Sequence, residues 1–479
     1  MLQRTKIISE GTISKMLAEI GIKSGSTLAT QVLRRQDGEF AKNTAITILS
    51  RILTFITGIA LSIVIARALG PQGKGIYSLA ILFPSLIVTF TNLGIGSATI
   101  YYIGQRKYSL KEVLGSNLIL GFFISAICIA FATVAVFFFQ NLFLKGVSRI
   151  YLLISLALIP AAVLYEYLSS ILLGLQRIKE YNLTGIFKSL IFLILAIVIL
   201  VGLKAGTMGA IFSTIITFFA TSLFTFWRVR RIIRESSYKP SKAYARDALL
   251  YGIKSHLDSV LTFLNYRLDM FLVNLFINPL AVGYYSISVA IAEKIWMVSQ
   301  AASIVLFPKV SSMTDEKLRK EFTPIVSRNV LLITGVGAII VFFLSKKLIL
   351  LLYSNAYQSS IRPLQILLLG IVALSAQRII AHDFSGRGKP ILNAYLSAIS
   401  LIVNICLNFV WIPKIGIEGA AWASTVSYTV SLIVGLLMYK RISGNSIRRV
   451  LIVQRSDLIA YKRFLNTLVK GKRPQQYDQ

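Results

Sequence analysis

The chain has 479 residues, 55% of them hydrophobic and only 15% charged, against about a quarter charged in soluble domains. A mean hydropathy of +0.71 over the whole length implies many membrane spans rather than one anchor. The 51 Lys and Arg against 19 Asp and Glu would suggest nucleic acid in a soluble protein, but here they sit between apolar runs, so a nucleic-acid partner is set aside. Cys128 and Cys406 lie inside apolar runs, which argues against a disulfide framework or a metal cluster.

Residues 1–43 are read as a polar cytoplasmic tail. They hold no continuous apolar run of the kind a cleavable leader needs, and one amphipathic stretch carries Ile13, Met16, Leu17 and Ile20. Runs of about 20 apolar residues suffice to span a bilayer. Breaks at Gly, Pro and charge clusters predict twelve such runs: 44–69, 75–98, 113–139, 150–174, 182–203, 206–228, 247–277, 280–307, 324–345, 361–384, 390–412 and 416–439. An even number puts both termini on one side. Most of the Lys and Arg fall in segments on that side, so the positive-inside rule makes it the cytoplasm. The opposite loops are tight, as at 203–205, 278–279 and 413–415, and leave no room for a soluble-type active site. The expectation is a multi-pass protein of the plasma (inner) membrane that is not an enzyme.

Three short motifs repeat at nearly one spacing. Gly70-Pro71 with Gly75-Ile76-Tyr77-Ser78 returns as Asn278-Pro279 with Gly283-Tyr284-Tyr285-Ser286; Arg177-Ile178-Lys179 returns as Arg387-Gly388-Lys389; and Gly206-Thr207-Met208-Gly209-Ala210 returns as Gly416-Ile417-Glu418-Gly419-Ala420. The matching inter-span positions predict an all-α polytopic membrane protein of about twelve transmembrane helices, in two parallel six-helix repeats forming two lobes around a central cavity. The divisions are a tail (1–43), an N-lobe (44–228), a basic linker (229–246), a C-lobe (247–440) and a basic amphipathic cytoplasmic tail (441–479). In the last of these, Ile447, Val450, Leu451, Leu458, Tyr461, Leu465 and Leu468 recur at helical spacing among Arg448, Arg449, Arg455, Lys462 and Arg463. Such a helix is expected to lie on anionic lipid, with docking of a cytoplasmic partner as the other reading.

No phosphate-binding loop is present: Gly386-Arg387-Gly388-Lys389 runs into Pro390, so ATP drive is not expected. Ionisable groups inside spans are costly and are the default functional candidates. Lys188, Lys254 and Arg67 lie near span ends and are read as snorkelling. Arg51 belongs to a small polar stripe with Thr47, Thr54, Gly58 and Ser62, which lines a hydrated path or packs a helix. Span 7 places Asp258, Thr262, Asn265 and Asp269 within about 60° of one another, an oxygen-rich face for Na⁺ or a proton. His256 and Arg267 share a different face. Glu293-Lys294 sits mid-span in span 8, Arg378 lies in span 10 before His382-Asp383, Glu166 lies in span 4, and Asn404 and Asn408 form an edge on span 11. The alternative reading of the span-7 acids is structural ion pairing with Lys294 or Arg378.

The stretch Ala66-Arg67-Ala68-Leu69-Gly70-Pro71-Gln72-Gly73-Lys74-Gly75-Ile76-Tyr77 resembles the turn after the first helix in polysaccharide and oligosaccharide-lipid flippases. Asn92-Leu93-Gly94-Ile95-Gly96-Ser97-Ala98, the run from Leu173 to Asn182, Arg267-Leu268-Asp269, Val282-Gly283-Tyr284-Tyr285 and Gly416–Ala421 are similar to further segments of that family. It belongs to the superfamily that also holds multidrug exporters and lipid II flippases. The resemblance covers roughly residues 40–440. It implies movement of a polyprenyl-(pyro)phosphate-linked oligosaccharide from the cytoplasmic to the outer leaflet by alternating access, coupled to Na⁺ or H⁺, with no other cofactor. On that reading Arg51, Arg267, Arg378 and Lys294 meet the anionic headgroup, while Asp258, Asn265, Asp269 and Glu293 handle the coupling cation. Anionic lipids and glycan-assembly enzymes are the other expected partners. The competing expectations are a cation-coupled multidrug or metabolite exporter of the same fold, with an acidic or apolar centre, and a non-transporting scaffold for glycan assembly.

Overall fold

The computed structural model describes residues 26–233, 239–313, 315–454 and 457, and every regular element among them is helical. Helix α1 (Ser26–Thr91) bends at Gly70, whose φ of 63° suits a residue without a Cβ. Asn92–Gly94 then turns the chain into the short α2 (Ile95–Gly104), so the second apolar run ends a turn or two before its expected limit. Helix α3 (Leu110–Phe143) starts at a capping box between Ser109 and Glu112. The fourth run is broken into α4 (Arg149–Ser155) and α5 (Leu158–Gly174), just before Pro160, which lacks the N–H that would continue the ladder. Helix α6 (Ile178–Ala196) ends in a wide turn over Ile197–Gly202, and α7 (Gly206–Ile233) completes the first group.

The second group comprises α8 (Lys242–Phe276), α9 (Pro279–Ser312), α10 (Glu316–Tyr353), α11 (Ile361–Gly386), α12 (Ile391–Ile415), α13 (Ile417–Ser443) and the short α14 (Ile447–Leu451). Nine helical segments among the described residues are long and apolar enough to cross a membrane. Helices α8 and α9, at 35 and 34 residues, are also long enough to cross a membrane. Their polar residues are the ones that gather in the interior. The outer wall is apolar, with Phe122, Phe131, Phe138 and Phe343 exposed where a lipid-facing surface is expected. The protein is therefore an all-helical, multi-pass membrane protein.

Helix α8 ties the two groups together. Near its start the Tyr244 hydroxyl bonds to Asn117 and Thr99 of the first group (3.0 and 2.9 Å), and Asp247 accepts from Lys107 and Tyr108 at 2.6 Å each. Further along it turns to α12 and α13, and near its end the Asn274 amide donates to the carbonyls of Phe143 and Lys145. The repeated glycine motifs meet face to face. A Cβ on Gly75 would fall 1.7 Å from the Pro279 carbonyl oxygen, and one on Gly283 would fall 1.9 Å from that of Pro71. Nearby, Tyr357 donates to the Ala66 carbonyl at 2.8 Å and Ser62 bonds Tyr353 at 3.2 Å, so the two groups are closed against each other at this end.

Arg67 is exposed, and its guanidinium donates to the carbonyls of Leu351 and Leu352 at the C-terminal end of α10, acceptors that a helix end leaves open. One expectation is corrected: the start of the basic tail packs on protein rather than lying on lipid. Val450 is fully buried with Phe384, Leu436 and Tyr439, Arg449 is 3.7 Å from Glu321, and Asp457 pairs with Arg328, both side chains nearly solvent-free. The Ile13–Ile20 stretch, the tail from Leu458 onward and the Lys254 side chain lie outside the described residues.

Candidate functional site

The span-7 face is where the sequence puts it. On α8, Asp258 accepts from Ser397 at 3.1 Å, Asn265 bonds Ser400 at 3.0 Å, and Asp269 accepts from Ser424 at 3.3 Å. All three side chains point at α12 or α13, as their common helical angle requires. They do not form one site. Eleven residues separate Asp258 from Asp269, about 16 Å along the helix, so only Asn265 and Asp269 are neighbours.

Asp269 is 2% exposed and is held by three donors: Tyr285 at 2.5 Å, Ser424, and the Met270 amide at 2.8 Å. Ser424 continues to Asn404 (3.3 Å), which bonds Asn408 (2.8 Å). A void of about 10 Å³ adjoins the carboxylate, lined by Tyr266, Tyr285, Glu293, Trp296 and Tyr428. That is the size of one water or one small cation. Its carboxylate faces hydroxyls and lies deep in the helical bundle, an arrangement suited to holding a proton or a hard cation. Tyr285 lay in the repeat motif, but its bond to Asp269 could not be read from spacing; nor could the part of Ser424, which comes from a helix 155 residues further on.

The basic candidates divide. Arg267 pairs with Glu293 at 2.8 Å, so both charges are matched to each other rather than open to a headgroup or a coupling ion. The ion pairs anticipated for Lys294 and Arg378 with Asp258 or Asp269 are not formed. Arg378 instead lies over the Trp296 ring, 3.9 Å from its centroid, and donates to the Tyr266 hydroxyl at 3.2 Å; its buried Nε has no partner among the described residues. The Lys294 ammonium is 5.6 Å from the Phe55 ring and close to Gly58 of α1. Arg51, one turn before Phe55, is exposed. Three half-buried or exposed cations without a carboxylate partner among the described residues thus lie on α1, α9 and α11. The polar stripe of α1 packs against other helices: Thr47 accepts from Asn182 at 2.7 Å and Ser62 bonds Tyr353 at 3.2 Å, and the Lys294 ammonium lies beside Gly58. The sequence did not single out Trp296 or Tyr266; an aromatic residue beside a buried charge pair is the only signal it offers.

Elsewhere Asp383 is fully buried and bonded to Thr323 at 2.6 Å and Arg387 at 2.5 Å, with Glu316 joining Arg387 at 2.5 Å. This is a structural ion-pair network at one end of α10 and α11. His256 meets the Phe90 carbonyl at 3.1 Å, on the side of α8 away from Asp258. No group of three or more His, Cys, Asp and Glu side chains that could hold a metal occurs among the described residues.

The family model described as "Polysaccharide biosynthesis protein" matches residues 40–314, more than half of the chain, and the MatE model matches residues 255–410. The capsular polysaccharide biosynthesis protein CapF of Staphylococcus aureus is 24% identical over 84% of this chain and 99% of its own. The probable low-salt glycan biosynthesis flippase Agl15 of Haloferax volcanii is 25% identical over 42% of this chain and 43% of its own. Among solved structures, the lipid II flippase MurJ in an inward closed conformation superposes with a TM-score of 0.71 at 17% identity, over 90% of this chain and 94% of that one.

Proposed function

We propose, from the premise that this chain belongs to the polysaccharide biosynthesis protein family, that it is a flippase carrying a polyprenyl-(pyro)phosphate-linked oligosaccharide from the cytoplasmic to the outer leaflet. The family sits in the transporter superfamily that includes MurJ-like and multidrug carriers, so the protein is a transporter and not an enzyme. The finer architecture belongs to the proposal: twelve spans with both termini cytoplasmic, an N-lobe of 44–228, a linker of 229–246 and a C-lobe of 247–440. The contact of Gly75 with Gly283, 208 positions apart in matching motifs, supports a parallel duplication about an axis along the membrane normal.

A protein is needed because an ionised phosphate in hydrocarbon without partners costs many kcal/mol, and each sugar hydroxyl adds to that. One observation carries the reading: Arg378 stands on Trp296 and, among the described residues, its Nε has no partner and no carboxylate pairs with it. A guanidinium oriented by a ring and a phenol presents the fork that phosphate takes bidentately. Lys294 and Arg51 extend the positive face towards α1. Arg267 serves through Glu293, by orienting it beside the void at Asp269. That void is our candidate for the Na⁺ or H⁺ site, with Asn265 as its neighbour and Asp258 as a separate polar contact. A closed contact at the Gly75–Gly283 end is what one state of an alternating-access cycle would have.

The multidrug-export reading called for an acidic or apolar centre, and the unpaired cations weigh against cationic drugs. A scaffold has no use for interior charges of this cost. The test is translocation of a polyprenyl-diphosphate-linked oligosaccharide in proteoliposomes. Arg378→Gln should lower the rate by about 10- to 100-fold, the loss of one charged hydrogen-bond pair, while the variant elutes as a monodisperse protein. Full-rate transport by a triple variant with Arg51, Lys294 and Arg378 all changed to Gln rejects the headgroup role.

A further inference from the structure

A second cavity, of about 450 Å³, opens within the first helix group and is lined by Tyr165, Glu166, Ser169, Lys188, Phe218 and, from α8, Phe263. Lys188 was expected to snorkel; instead its ammonium lies 3.8 Å from the Phe218 ring centroid and 4.8 Å from that of Tyr165. Among the described residues no carboxylate is within ion-pair distance of it, although Glu166 lines the same space. Glu166 accepts from the Asn92 amide through one oxygen, which leaves the other for a ligand. The Ser169 hydroxyl is buried without a hydrogen-bond partner among the described residues, and Ser85 and Thr89, which donate to carbonyls of their own helix, add acceptor oxygens to the wall. A cation held by ring faces alone, a half-engaged carboxylate and an unsatisfied hydroxyl in one roomy space are the marks of a site awaiting a polar ligand.

The chemistry selects the ligand. A lipid tail would leave Glu166, Lys188 and Ser169 unpaired. A phosphate would be repelled by Glu166, and an organic cation by Lys188. A sugar ring meets every demand: its hydroxyls accept from the ammonium and donate to the carboxylate, and its C–H faces lie on the aromatic walls. We propose that this cavity is a saccharide-binding subsite, with Tyr165 and Phe218 as the stacking walls and Glu166 and Lys188 as the hydroxyl contacts. Phe263 brings one wall of this cavity to α8, the helix whose Tyr266 accepts from Arg378. As a subsite for the glycan part of a lipid-linked oligosaccharide, the proposal rests on the flippase reading.

The test uses the full-length protein in lipid nanodiscs and saturation-transfer difference NMR with free glucose, N-acetylglucosamine and glucuronate. At least one sugar should receive saturation at its ring protons from the wild type. Lys188→Gln, Glu166→Gln and Phe218→Ala, each checked for monodisperse elution, should weaken that signal about tenfold, as expected for losing a charged hydrogen bond or a stacking wall. Arg378→Gln should leave it intact. No saturation of any of the three sugars by the wild type overturns the proposal, as does a full signal from any correctly folded cavity variant. Binding of undecaprenyl phosphate, measured in parallel, should fall in Arg378→Gln and not in the cavity variants. If it does not fall in Arg378→Gln, the headgroup reading fails while the sugar signal still decides the subsite.

Discussion

Asp269 and Arg378 show how two buried charges of opposite sign take different work from their neighbours. The Asp269 carboxylate is surrounded by donors that rotate, Tyr285 and Ser424, beside a space for one small particle. Replacing it with Asn keeps the volume and removes the charge. In proteoliposomes Asp269→Asn should therefore abolish the response of glycan transport to an imposed Na⁺ or pH gradient while downhill movement persists; unchanged gradient dependence removes Asp269 from coupling. Arg378 has a flat partner beneath it and a phenol at its edge, which fixes direction without neutralising charge. That the α8 acids share a face was legible from helical spacing alone. That Arg267, and not Arg378 or Lys294, finds Glu293 was not, because a pair across two helices depends on their relative rotation.

At the scale of elements, the tail beyond α13 is a strap rather than a free amphipathic helix over its first turns. Val450 fills a gap between α11 and α13, and Asp457 reaches the buried guanidinium of Arg328 on α10. The hydrogen bond from Arg328, with the Gln454 amide as a second donor, holds the Asp457 carboxyl below the usual carboxylate range. A depressed carboxyl contributes stability that is present above its unfolded value and lost as pH falls through its folded one. The strap should thus stay docked at neutral pH and release only under acid. Asp457→Asn leaves the Arg328 charge unmatched at a cost of about 3 kcal/mol, so trypsin should cut at Arg448, Arg449 and Arg455 much faster than in the wild type at pH 7; equal cutting rates contradict the docking. The apolar periodicity of this segment was correctly read from the sequence, but whether its face meets lipid or protein is not encoded in the period.

For the whole molecule, the junction of the two helix groups rests on two glycines. Gly75 and Gly283 allow backbones to approach so closely that a single methyl group at 283 would overlap the Pro71 carbonyl. Overpacking of this kind costs about 1–3 kcal/mol. Gly283→Ala should lower the thermal unfolding midpoint in detergent by several degrees without loss of helical content, and Gly335→Ala, where a Cβ meets nothing within 4 Å, should not. Equal midpoints for both variants contradict the close contact. Composition, the apolar runs and the offset of the repeated motifs were enough to determine a polytopic helical protein and to place its internal charges on named helices, because bilayer thickness and helical pitch act on the chain locally. Which cation keeps its charge open, which acid lies beside a void and which lysine sits in an aromatic cavity were decided only when helices distant in sequence came together, since pairing and burial are properties of the faces that meet and not of either helix alone.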